Sequence, residues 1–206
     1  EMQRSLVGSE MCIRDSSKAV PIALAVVFGL CAVAMIGIMV YFSCIDTKTD
    51  LGSFERIIRF NDIWGTHRGF MWIRSIWIFG DASFIEKLFG VGPDMFYSAF
   101  SPYFDDLSKY GDSSTNAAHN EYLNYLITIG ITGLLSYLAI VCGTIKNAVK
   151  YAKENPMLIA CVSAVICYAV QSVVNLYQPI TTPLFFIFIA LCEAFVRNAK
   201  AEKSAV

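Results

Sequence analysis

Three kinds of residue in this chain could act on a substrate: one histidine beside an asparagine, two arginines on an apolar stretch, and a set of amides. His119 stands in STNAAHNEYLNYL, where Asn116 is the expected N-cap of the helix that follows, so His119 is expected in that helix's first turn. The positive end of a helix disfavours imidazolium, so a ring there stays neutral and can accept a proton. The plainer alternative is an interfacial histidine that only hydrogen-bonds a neighbouring loop, and the residues alone favour it. Arg68 and Arg74 lie six positions apart on a predicted helix and face different sides, so they cannot grip one group as a pair. Arg68 shares a face with Trp72 and Ser75. Guanidinium binds phosphate bidentately at any relevant pH. It also anchors helices at lipid headgroups, a reading that prevails for Arg74 and is even for Arg68.

The amides come third. Gln171, Asn175 and Gln178 recur at helical spacing near one end of an apolar run. Such groups can line a cavity, although bonding between helices is the ordinary explanation. Glu193 precedes Arg197 by four residues, which predicts a local ion pair. Cys31, Cys142, Cys161, Cys167 and Cys192 lie inside apolar runs as small hydrophobes, with no zinc or disulfide spacing.

The elements that must position these residues are membrane elements. Apolar residues make up 56% of the chain and charged residues 16%, with mean hydropathy +0.54. That balance is unlike a soluble globular domain. A net charge of −1 excludes an overall field for nucleic acid. Apolar runs predict four spanning helices at about 19–43, 121–145, 157–175 and 184–196, since a crossing helix needs ~20 residues. The Pro-bearing segment 178–183 turns the chain between the last two. Residues 1–16 (EMQRSLVGSEMCIRDS) read as a translated adapter scar and are set aside; the expectation is that further helices precede the native part, residues 17–206.

Orientation follows from basic residues at the short connections: Lys18, then Lys146, Lys150 and Lys153, then Arg197, Lys200 and Lys203. The intervening segment, residues 44–120, is acidic and is expected outside, with both termini in the cytoplasm. Within it, 54–60 reads as a short amphipathic helix carrying Arg56 and Arg59, and 66–79 as a nearly all-apolar helix. The latter belongs at the membrane interface, with Trp64, Trp72 and Trp77 at headgroup depth. LFGVGP is a turn, and 103–115 a polar loop.

Taken in order, RGFMWIRSIW (68–77), LFGVGPDMF (88–96) and AAHNEYLNYLITIGITGLLSYL (117–138) resemble the C-terminal part of the O-antigen ligase and polymerase family. The resemblance covers roughly residues 54–195. It implies an all-α integral membrane protein, part of a GT-C-type bundle in the bacterial cytoplasmic membrane with its catalytic loop outside. The implied activity is an inverting glycosyltransferase that needs no metal or nucleotide. Its donor would be a glycan linked through diphosphate to undecaprenol, and its acceptor a glycan or lipid hydroxyl. On that footing His119 matches the general base, Arg68 the diphosphate-binding arginine, and Arg74, Asn120 and Tyr122 further substrate-binding positions. The family uses another arginine from an earlier outer loop, so this stretch alone is expected to be inactive. Ligase and polymerase share these motifs. Half of a transporter or flippase, or a non-catalytic assembly protein, are the competing readings. The first would show paired repeats and helices broken at mid-membrane.

Overall fold

A computed structural model describes residues 19–204, and the 1–16 segment lies outside them. Every regular element among the described residues is helical. The chain divides into two compact units, one ending at Trp64 and one beginning at Gly65.

The first unit is built on α1 (Ala19–Val40), extended by a π-turn over Tyr41–Ile45. Its uncharged sequence is apolar on all sides, and the side chains described along it are almost all exposed. After it, α2 (Glu55–Ile58) is one turn long, and Arg59 leaves it in extended conformation. Arg59 closes this unit as a hub: its guanidinium donates to the carbonyls of Phe42, Asp46 and Thr49 and to Glu55, the last at 2.9 Å. The expected amphipathic helix over 54–60 is therefore shorter, because Arg59 is drawn back onto the preceding loop.

The second unit begins in α3 (Trp64–Asp81), whose first turn is irregular, and continues through α4 (Phe84–Phe89), α5 (Phe96–Phe100) and α6 (Phe104–Ser108). The expected polar loop over 103–115 thus contains a helical turn. Leu107 anchors it and is fully buried with Phe70, Phe96, Phe100, Ala118 and Ile127. Next come α7 (Glu121–Thr128), α8 (Gly130–Tyr151), α9 (Met157–Gln171) and α10 (Thr181–Ser204), the last three packed on one another. One cluster of their core holds Tyr137, Val141, Val165 and Phe185, and another holds Ala148, Leu158, Cys161, Cys192 and Val196.

These boundaries revise the expected spans. The second is two helices, because the chain breaks at Ile129–Gly130. Gly130 has φ 69°, and a Cβ on it would stand 2.4 Å from the Leu88 carbonyl. Gly90 answers it with φ 77°, where a Cβ would meet the Thr128 carbonyl at 2.3 Å. Two backbones therefore touch through their glycines. The Val91 and Gly92 N–H groups donate to the Ile127 and Thr128 carbonyls, each at 3.0 Å, and the Thr132 hydroxyl donates to Leu88 O at 2.7 Å. Those bonds supply the partners that a broken helix loses.

The third span ends at Gln171, so Asn175 and Gln178 lie beyond α9 and do not form one helical face with Gln171. The fourth is longer than expected, with Pro183 in its first turn, where a missing N–H costs nothing. By length and composition, Val26–Ile45 and Gly130–Tyr151 suffice to cross a membrane, while Met157–Gln171 is apolar but shorter. The Glu193–Arg197 pair forms as predicted, at 2.9 Å.

Candidate active site

Arg68 is delivered by a reversed turn. Gly65, Thr66 and His67 all take left-handed backbone (φ 58°, 61° and 67°), and only at Arg68 does α3 wind in the ordinary sense. Gly69, Phe70, Met71 and Ser75 then face inward and are buried. Phe70 packs on Phe100 and Tyr110, with centroids 6.2 and 5.4 Å away, and the His67 ring lies 4.8 Å from Tyr110. The Arg68 end of the helix is thus fixed by aromatic contacts to residues 100–110.

Arg74 sits elsewhere. Its guanidinium carbon lies 4.3 Å from the Phe70 ring centroid and 4.4 Å from that of Trp77, within cation–π reach of both. Its charge also acts on Asp106. The sequence placed the two arginines on different sides of a helix, and the structure gives them different partners.

His119 does not occupy the first turn of a helix. The N-cap is Asn120, not Asn116: Asn120 Oδ1 accepts from Leu123 N at 3.0 Å, a bond typically worth ~1 kcal/mol. Helix cannot start at Asn116 because Thr115 Oγ1 folds over Ala117, donating to its carbonyl and accepting from its N–H. His119 is then held at φ 51°. A non-glycine residue there costs on the order of 1 kcal/mol and persists only where its surroundings impose it. They do so through Glu121. Its N–H donates to the Ser172 carbonyl (2.9 Å), and its buried carboxylate accepts from Ser172 Oγ (2.7 Å) and the Tyr125 hydroxyl (2.8 Å). Tyr122 adds a fourth tie, its hydroxyl donating to Ala169 O at 2.7 Å.

Asn120 is 8% exposed and spends its oxygen on the cap, while Tyr122 spends its hydroxyl on α9. Both hold the corner that presents His119. The imidazole is half-buried, and burial first, then the positive charge of Arg68, push its pKa below the ordinary 6.5, with Asp112 opposing. The neutral ring expected from a helix dipole is thus favoured for different reasons. The structure brings Arg68 and His119, about fifty residues apart in sequence, within electrostatic reach of each other. Among the described residues no three His, Cys, Asp or Glu side chains converge as a metal shell requires.

The O-antigen ligase family model matches residues 11–138. The chain belongs to the O-antigen ligase family. The match takes in Arg68, the Gly90 turn and His119. It starts within the segment read as a scar and stops at Leu138, short of the residue-195 limit set by resemblance. No curated protein and no solved structure matches the chain. Membership in this family of membrane proteins assigns the chain broadly to glycan ligation or polymerisation at a membrane. Sequence reasoning missed Glu121, a carboxylate 1% exposed, and the available signal was weak. An acid directly after a cap residue ordinarily reads as a solvated first-turn charge.

Proposed function

We propose that this O-antigen ligase family member transfers a glycan from an undecaprenyl-diphosphate donor to an acceptor hydroxyl at the outer face of the bacterial cytoplasmic membrane. The observation that carries this reading is a strained, half-buried His119 whose pKa is pushed below the ordinary 6.5 by burial first and then by the charge of Arg68. In the reaction an imidazole nitrogen takes the acceptor's hydroxyl proton as that oxygen bonds to the anomeric carbon. The bond from that carbon to the diphosphate oxygen breaks, and the lipid diphosphate leaves with the electron pair. Attack opposite the leaving group inverts the centre. Base catalysis of this kind supplies ~10²–10⁴-fold. Arg68 offers a planar fork to the diphosphate and stabilises its departing charge without a metal. Arg74, bracketed by Phe70 and Trp77, steadies the helix that carries Arg68, and Asn120 and Tyr122 hold the His119 corner.

The membrane arrangement belongs to the same proposal: four crossings, residues 44–120 outside, and short basic connections inside. The exposed apolar surfaces of α1 and α8 support it, since such surface is costly in water. An engineered thiol at Ser108, in a background without the native cysteines, should react with an impermeant reagent on intact cells. Reaction only after the membrane is opened would reverse the topology.

The decisive test is His119→Ala in the native gene. Glycan transfer should be lost while membrane abundance and monodispersity in detergent stay near those of the parent. A normally inserted His119→Ala protein that transfers glycan at the parental rate refutes the base assignment.

A further inference from the structure

The corner that presents His119 also borders a cavity. Asn116 and Asn124 lie on either side of the His119–Asn120 pair in sequence, and both line a space of about 290 Å³ together with Asp94, Tyr125, Thr128 and Tyr177. One wall is rigid, because the Gly90–Gly130 interlock bonds the strip leading to Asp94 onto Ile127 and Thr128. The volume lies near the lower edge of small-molecule sites.

Its chemistry is selective. Asp94 is the sole charged residue in the lining, and no cation accompanies it. A diphosphate or other anion is therefore repelled, and the Arg68 side of the site is the place for it. Asp94 is exposed and takes left-handed backbone at φ 62°. Asn124 is 6% exposed, and its Oδ1 is buried with no hydrogen-bond partner. An unsatisfied buried amide oxygen costs ~1–3 kcal/mol unless something donates to it. Tyr125 and Tyr177 add ring surface. A carboxylate, two amides and two tyrosines suit an uncharged, hydroxyl-rich ring that donates several hydrogen bonds and offers C–H faces to aromatics.

We infer that this cavity is a sugar subsite: it holds the hydroxyl-bearing acceptor residue beside His119, apart from the diphosphate. The inference rests on the transfer reading above and assigns the acceptor its place.

The test uses the full chain in detergent micelles and the methyl glycosides of glucose, galactose and N-acetylglucosamine as probes, read by saturation-transfer NMR. The parent should bind at least one of them. Asp94→Asn, which keeps shape and tolerates the left-handed backbone, and Asn124→Leu, which is near-isosteric and removes the orphaned oxygen, should each weaken that binding about tenfold. Circular dichroism and elution volume check that both variants fold. Arg197→Gln, at an exposed ion pair outside the cavity lining, should bind the glycosides as the parent does. Absence of a glycoside signal in the parent, or binding unchanged in both cavity variants, overturns the inference and leaves the transfer reading standing. Displacement of the glycoside by inorganic pyrophosphate also overturns it. Binding lost in the cavity variants while the native gene shows no glycan transfer keeps the sugar site and removes the transfer reading.

Discussion

Two of the settings in which left-handed backbone occurs among the described residues contrast scaffold with candidate site. At Gly90 and Gly130 two segments press together so closely that a Cβ would stand inside a neighbouring carbonyl. Glycine is there because only glycine fits. At Thr66, His67, Asp94 and His119 the same conformation carries a side chain, at φ between 51° and 67°. Each of these costs on the order of 1 kcal/mol that a glycine would avoid. Three flank Arg68 or reach the cavity and the His119 corner, and the fourth is His119 itself. The scaffold uses the conformation to let backbones meet, and on the proposed reading the site uses it to aim side chains.

The strongest way to break that contrast is His119→Gly. It should lower transfer ~10²–10⁴-fold, while thermal stability in detergent changes by less than ~1 kcal/mol because relief of strain offsets lost contacts. Retained transfer would make His119 a mere occupant of a turn. Next in size, Gly130→Ala should destabilise by on the order of 3 kcal/mol as its Cβ meets the Leu88 carbonyl. Gly111→Ala, at φ 97° with nothing within 4 Å, should lose only ~1 kcal/mol, since strain acts there without collision. Equal losses would show that the interlock contributes no steric constraint.

Arg68 sharpens the site half of the comparison. Arg68→Lys keeps the charge but not the fork, so transfer should fall about tenfold with the acidic limb of the pH–rate profile unmoved. Arg68→Gln should move that limb upward toward 6.5, because removing a positive neighbour lets imidazolium form at higher pH. Stability carries the same sign. The folded ring resists protonation, so as pH falls below 6.5 the unfolded chain binds the proton first. Stability then declines until the folded ring also titrates. A limb that ignores Arg68→Gln would place the two groups outside electrostatic reach. The smallest effect belongs to a pair far from either setting. Arg197→Gln removes an exposed ion pair with Glu193 and should change stability by less than ~0.5 kcal/mol.

The sequence made some of this legible and hid the rest for identifiable reasons. The apolar runs, the Glu193–Arg197 pair and the different surroundings of Arg68 and Arg74 follow from periodicity, which local geometry preserves. The break at Ile129–Gly130 was hidden because LITIGITGLL carries no charge and no proline, and its cause lies forty residues earlier at Gly90. The cap was misplaced for a local reason. Asn116 and Asn120 are equal candidates by type, and the Thr115 hydroxyl turn decides between them. The cavity could not be read at all, since Asp94, Asn124 and Tyr177 meet only through tertiary packing. Nor could the partner of Glu121, which is supplied by Ser172 at the far end of another helix.

That last tie bears on how the protein is made. Ser172 bonds Glu121 across 51 positions of sequence, and Tyr122 reaches Ala169 across 47. While the ribosome is still translating α9, the segment around His119 has already emerged but lacks the contacts that impose its backbone. His119 takes its left-handed backbone only when α9 docks, a long-range closure that is slow compared with local helix formation. A half-synthesised chain therefore lacks the ties that fix the His119 corner, and docking of α9 is the event that completes it.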